Sequence, residues 1–301
     1  MIITRDTRFL LLASGMLLGF TFPLAKLAGI AQMPAMTWVI LNSLGASLTL
    51  LTLLMLTGGL ELPRGRQWRY ALITGPITFA SPSLLVFLVV PQVGAGYSGI
   101  MFALSPVLTL TLTRLAGMGT LGRQKTLGLL LGLGGAAGIS LTRGSLGAPA
   151  EALWLALAAL IPLALAAGNL YRTLDWPGQA SPELLAFWSH TLAVILYASA
   201  ALIFGNEAIW KSAVDNPQLA AGHLALAGLI APLIFRLQRF GGPVLLSQTG
   251  YVAAGTSLLI ASVWMRESYP LTAWLSALVI LVGMVISLWP KASKPVICQD
   301  A

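Results

Sequence analysis

Residues 262–283 read SVWMRESYPLTAWLSALVILVG. Two apolar runs meet across Met265-Arg266-Glu267-Ser268-Tyr269-Pro270, and the second run carries Gly283 deep inside it. The rest of the chain has the same build. Of its 301 residues, 57% are hydrophobic and only 9% are charged, where a soluble domain carries roughly 25% charged residues. That is too little polar material to coat a globule in water, so lipid is the natural solvent for most of the chain. An apolar helix of about 20 residues crosses a hydrocarbon core about 30 Å thick. Breaks in the pattern give ten spans, at 9–29, 35–57, 69–90, 96–116, 125–142, 151–171, 183–204, 220–238, 243–264 and 271–289. The expectation is an all-α polytopic membrane protein with ten transmembrane helices and no sizeable soluble domain.

The opening segment has Arg5 and Arg8 before an apolar run that continues to Ala28. That is too long for a typical signal-peptide core, so it reads as a retained first helix, with cleavage near Ala31 the alternative. Cys298 is the single cysteine, which excludes a disulfide framework or a cysteine metal site within one chain. The net charge of +8 is spread between apolar runs rather than blocked, which argues for loop charge and against nucleic acid. With the N-terminus in the cytoplasm, that side holds Arg5, Arg8, Arg64, Arg66, Arg69, Arg114, Arg123, Lys125, Arg172, Arg236, Arg239, Lys291 and Lys294. The other side holds Lys26, Arg143, Lys211 and Arg266, a bias of 13 to 4. The positive-inside rule then puts both termini on the cytoplasmic side of a cytoplasmic (inner) membrane.

The opening stretch has a counterpart. LAGMGTLGRQKTLGLLLGLGG, residues 115–135, is also an apolar run, a small turn and a Gly-rich apolar run. Aligning Gly283 with Gly135 gives an offset of 148 (283 minus 135), which sets Ser276 on Gly128, Glu267 on Gly119, Gly242 on Gly94 and Ala254 on Pro106. Each half then holds five spans. Five is odd, so the second half enters the membrane inverted, an arrangement recurrent in secondary transporters. The expected organisation is a first repeat over 1–147 and a second over 148–301, the latter ending in a short polar tail.

These residues carry a resemblance. Pro106 followed thirteen residues on by Gly119, and then by Gly128 and Gly135, is similar to the half-repeat of the drug/metabolite transporter superfamily, in particular its ten-helix EamA-type permeases. The second half keeps Glu267 and Gly283 but has Ala254 where the family often has Pro. The first helix, LLGFTFPLAKLA, resembles the family's Trp-Gly…Lys pattern through Gly19 and Lys26, with Leu18 in place of Trp. The Arg usual near Asn42 is missing. The resemblance implies a permease that exports small metabolites such as amino acids, with the bilayer and a small solute as partners and no cofactor.

The residues limit the chemistry. Every acidic residue falls in a tail, a loop or a helix end, so no buried carboxylate offers proton antiport or capture of a cationic drug. Two His, one Cys and no carboxylate cluster speak against metal transport. Neutral, zwitterionic or weakly anionic solutes remain. A membrane-embedded enzyme is the alternative, though no HExxH, GxSxG or phosphate loop occurs. A lipid scramblase is another.

Substrate-binding candidates are Ser98, Phe102 and Ser105 on span four, which share a helical face, and Ser247, Gln248 and Tyr251 on span nine. The alternative is that the serines bond their own helix carbonyls. Lys26 either attracts a carboxylate or snorkels to the headgroups. Asn42 and His190 are linked by the offset of 148, and each lies eight residues after a helix-opening Pro (Pro34, Pro182). At 1.5 Å per residue that is roughly 12 Å deep, close to the midplane. They are candidate substrate contacts, with His190 the one deep proton-coupling candidate. Glu267 and Gly119 are expected to organise turns, Glu267 by accepting backbone N–H bonds from the next helix. The Gly128/Gly132 and Gly134/Gly138 pairs read as close helix packing first and as a homodimer face second.

Overall fold

The computed structural model describes residues 5–94, 98, 101–102, 104–118, 122–141, 152–178, 180–205 and 207–288. Gly119, Arg143, Lys291, Lys294 and Cys298 lie outside the described residues. Within them the chain is helical, with no strand. The helices are α1 (Thr7–Ile30), α2 (Ala35–Thr57), α3 (Arg66–Val93), α4 (Ser105–Leu115), α5 (Arg123–Leu141) and α6 (Ala152–Leu174). After them come α7 (Pro182–Phe204), α8 (Glu207–Asp215), α9 (Pro217–Ser247), α10 (Thr249–Val263) and α11 (Leu271–Leu288). Six of them, α1, α2, α3, α6, α7 and α9, are long and apolar enough to cross a membrane, and α5, α10 and α11 contain shorter apolar stretches. Large apolar side chains cover the outside, among them Leu56, 81% exposed, and Phe204, 84% exposed. In water such a surface would aggregate; in lipid it is solvated.

Local chemistry sets the helix ends. Asp6 caps α1, accepting from the Arg8 backbone N–H at 2.9 Å. Ser181 caps α7, accepting from Leu184 N–H at 3.2 Å, with Pro182 and Glu183 in the first turn, where a fixed φ and a negative charge both suit a helix start. Gly58 closes α2 in the left-handed conformation. Inside α3, Pro76 has no N–H for the preceding turn, and the helix widens to a π-helical segment over Thr74–Ala80. The Pro76 carbonyl accepts from Tyr197 Oη on α7 and from Ser81 Oγ, both at 3.1 Å.

Two glycines turn the chain where no other residue fits easily. Gly94 ends α3 at φ 86, ψ 152, and Gly242 breaks α9 at φ 74, ψ 178. This region of backbone space is essentially restricted to glycine. Gly242 separates the apolar runs 220–238 and 243–264, so the second of these continues through Ser247 into α10.

The helices pack in definite pairs. α1 lies against α9 and α10, and α6 against α3 and α4. α2 lies against α9, α3 against α7, α2 against α7, and α5 against α11. The α5–α11 contact explains Gly283: a Cβ there would come within 2.5 Å of the Gly128 carbonyl oxygen. Gly132, Gly135 and Gly138 serve the same packed region, whereas a Cβ on Gly134 would meet no described atom within 4 Å.

Two buried apolar clusters divide the bundle. One gathers Phe22, Trp38, Phe87, Val90 and Met101 towards the end that holds Lys26. The other gathers Leu10, Leu50, Leu54, Phe187 and Leu237 towards the end that holds Asp175. Each end carries an ion-pair tie. At the first, Lys26 Nζ lies 2.5 Å from Glu267 Oε1. At the second, Asp175 accepts from Arg66 Nε at 2.8 Å, from Tyr171 Oη at 2.7 Å and from Arg69, while Glu183 pairs with Arg236.

Burial disfavours the Asp175 carboxylate, but the hydrogen bonds from Arg69, Tyr171 and Arg66 outweigh it and hold its pKa below the ordinary value. A carboxyl depressed below its unfolded value of about 3.9 contributes stability that is complete above that pH and is lost as pH falls through the folded value. Thermal unfolding from about pH 6 to about pH 3 is therefore expected to show wild type above Asp175→Asn at the upper pH, with the gap closing below about pH 4. A gap that is constant with pH would mean that the tie stabilises nothing through its charge.

Candidate functional site

A cavity of about 120 Å³ lies between the two apolar clusters. Its wall takes residues from α1, α2, α3, α4, α6, α7, α9 and α10, so both halves of the chain contribute. Asn42, His190, Phe102, Ser105 and Ser247 all line it, brought together from sequence positions up to 205 residues apart (247 minus 42). Phe102 stands edge-on to Phe22 at 5.5 Å between ring centroids. His190 is buried against the rings of Phe79 (5.1 Å) and Phe235 (6.2 Å), and neither ring nitrogen has a hydrogen-bond partner among the described residues. The carbonyl of its neighbour Ser189 meets Gly75 in the π-helical segment of α3, which brings Thr78 and Phe79 to the same wall.

The other four candidates stand outside the cavity wall, each for a local reason. Ser98 Oγ donates to the Gly94 carbonyl at 3.0 Å, satisfying its own turn. Tyr251 Oη donates to the Leu129 carbonyl at 3.3 Å and belongs to the packing of α5 on α10. Gln248 is buried at the junction of α9 and α10, its backbone N–H bonded to the Leu245 carbonyl. Lys26 is held by Glu267.

That pairing also gives Glu267 a long-range partner at the α10–α11 turn, which it is expected from sequence to organise through backbone N–H bonds. Its carboxylate binds Lys26 and accepts from Tyr269 Oη, tying α1 to the α10–α11 turn. Both side chains are partly buried, so breaking this pair costs more than a surface ion pair and less than a fully buried one, about 1–3 kcal/mol. Glu267→Gln is expected to lower the melting temperature of purified protein, and Lys26→Met with Glu267→Leu to recover most of it. Equal losses in the single and the double variant would show that the pair contributes no stability.

The cavity also contains residues absent from the candidates above. Arg172, counted from sequence with the cytoplasmic loop charges, instead sits in the last turn of α6, is 4% exposed and lines the cavity. Without Arg172 the basic bias expected from sequence is 12 to 4 (13 minus 1). Arg172 Nη2 donates to Asn169 Oδ1 at 2.5 Å, and its guanidinium carbon lies 4.1 Å from the centroid of the Phe79 ring. Its Nε and Nη1 have no partner among the described residues. Asn169 lines the same wall one helical turn earlier. Among the described residues, no Asp or Glu lines the cavity. Polar groups at this depth are costly unless paired or wetted, and they are the usual mark of a solute path.

The described helices thus form an apolar-surfaced bundle around a cavity whose largely apolar wall carries a few polar groups. Residues 7–141 match the EamA-like transporter family. No curated protein matches it. A crystal structure of a protein shares the fold with a TM-score of 0.64 at 16% identity, covering 91% of this chain and 98% of its own.

Proposed function

We propose that the protein is a secondary transporter that carries small neutral, zwitterionic or weakly anionic metabolites, amino acids among them, out across the cytoplasmic membrane. The observation that carries this reading is the cavity lined from both halves of the chain, with amide, imidazole, hydroxyl and guanidinium groups and, among the described residues, no carboxylate in its wall. Residues of both apolar clusters, among them Phe22 and Val86 of one and Ala231 and Ile234 of the other, also line it, so the cavity lies where the halves of the bundle meet, as substrate sites do in carriers built from repeats.

The fold proposed for it is ten transmembrane helices in two inverted five-helix repeats, divided near residue 147. Three findings support this. Gly94 and Gly242, 148 residues apart, share the same rare backbone conformation. Asn42 and His190, also 148 apart, line one cavity. The helix pairs exchange under the same offset: α1 with α10 becomes α6 with α4, α2 with α9 becomes α7 with α3, and α1 with α9 becomes α6 with α3. The pairs α2 with α7 and α5 with α11 map onto themselves.

The Asp175 end, with Arg66, Arg69 and Arg236, is the cytoplasmic face by the positive-inside rule, which also places both termini there. A cysteine at Leu62, 71% exposed in the α2–α3 loop, is then expected to react with an impermeant maleimide only in inverted vesicles, in a Cys298→Ser background. Labelling from outside intact cells would reverse the topology. Transport is tested in proteoliposomes loaded with a mixture of the common amino acids and short carboxylic acids. Efflux of at least one component above protein-free vesicles is expected, and none would remove the transport reading.

A further inference from the structure

We infer that Arg172 is the recognition group for a carboxylate on the transported solute, so that the substrates of this cavity are carboxylates rather than amines or uncharged compounds. This rests on the cavity being the transport site. A guanidinium stays protonated under all ordinary conditions, so a full positive charge is buried in the wall. The chain supplies only part of its compensation. Asn169 accepts from Nη2 and the Phe79 ring lies beneath the plane. The C-terminal dipole of α6 contributes as well. The nearest carboxylate in sequence, Asp175, is committed to Arg66, Arg69 and Tyr171 at the bundle end.

The Nε and Nη1 donors remain without a partner among the described residues. An unpaired buried charge is among the most costly features a protein can hold, and arginine presents carboxylates with a fixed, two-pronged donor set. Asn169 and Phe79 fix the plane of that set from behind and below, so the group is positioned before the solute arrives. Asn42 and His190, on other helices of the same wall, are left for the solute's neutral polar groups.

The test uses the full chain purified in an uncharged sugar detergent. Thermal unfolding is followed with acetate, lactate, succinate and the common amino acids, each compared with its carboxamide, and separately with phosphatidylglycerol. At least one carboxylate is expected to raise the melting temperature of wild type by about 3 °C or more while its amide does not, and Arg172→Gln and Arg172→Met abolish the response. Without ligand, Arg172→Met is expected to melt at or above wild type, because the unpaired charge is gone. In proteoliposomes, flux of the responding carboxylate falls about ten- to a hundredfold in Arg172→Gln, the loss of a charged hydrogen-bonded pair.

The inference is overturned if no carboxylate stabilises wild type, if the response survives Arg172→Gln, or if only phosphatidylglycerol acts, which would make the anion a lipid headgroup. It is equally overturned if flux occurs but is indifferent to the carboxylate and to Arg172, and the transport reading then survives alone. Arg172-dependent stabilisation without flux of any probe has the opposite meaning: it keeps the anion site and removes transport.

Discussion

Gly75→Leu is expected to remove nearly all folded protein from the membrane. Gly75 lies in the π-helical segment of α3, and a Cβ there would fall on the Ser189 carbonyl of α7. The obstacle is backbone, so no rotamer change relieves it, and the two helices must separate. Their separation would unseat Phe79 and His190, which touch at that level, and the Tyr197 bond to the Pro76 carbonyl. Overpacking against a movable side chain costs about 1–3 kcal/mol; against backbone the loss is put above about 4 kcal/mol, enough to unfold a marginally stable protein. Fluorescence-detected gel filtration of detergent extracts reads the monodisperse fraction. Gly134→Leu is the control, since no described atom lies within 4 Å of a Cβ there, and it is expected to behave like wild type. A normal peak for Gly75→Leu would mean that α3 and α7 are not packed as described.

The second large effect falls on transport rather than folding. Asn42→Ala and His190→Leu are each expected to leave the gel-filtration peak intact and to lower flux per folded molecule by roughly tenfold, the worth of one neutral hydrogen bond to a solute. His190 carries both ring nitrogens without a partner among the described residues, so replacing it by a hydrocarbon of similar bulk removes a buried polar group and breaks no bond. If either variant unfolds while its flux per folded molecule is unchanged, that side chain supports the bundle and contacts no solute.

Much of this is legible in the sequence because a membrane restricts the possibilities. Apolar runs have to be helices, and Gly94 and Gly242 mark breaks in them. The offset of 148 picks out Asn42 and His190 without any geometry, since it needs only a register of glycines. Arg172 escapes because a basic residue after an apolar run reads as the start of a loop. The helix continues to Leu174, and the better stop signal is Pro177-Gly178, three residues beyond that end. The spacing of Asn169 and Arg172, one turn apart on one face, is the available clue. The Lys26–Glu267 tie joins positions 241 apart, and nothing local in the sequence announces such a partner. The π-helical segment at Pro76 is equally hidden, because a proline inside a span predicts a disturbance without its form.

If solute passes through the cavity between the two halves, a thiol placed in its wall must control flux, and Ser105 is the position to use. Ser105 lines the cavity, while Ser98, on the same predicted helix face, lies outside its wall with its hydroxyl bonded to Gly94. Ser105→Cys and Ser98→Cys are built in a Cys298→Ser background, reconstituted in proteoliposomes, and treated with a small methanethiosulfonate reagent during efflux of whichever probe wild type carries. Passage through the cavity predicts that modification of Ser105→Cys stops flux, that an excess of the transported probe slows the modification, and that Ser98→Cys transports normally after the same treatment. Full flux through a Ser105→Cys protein shown by mass spectrometry to be modified would contradict it.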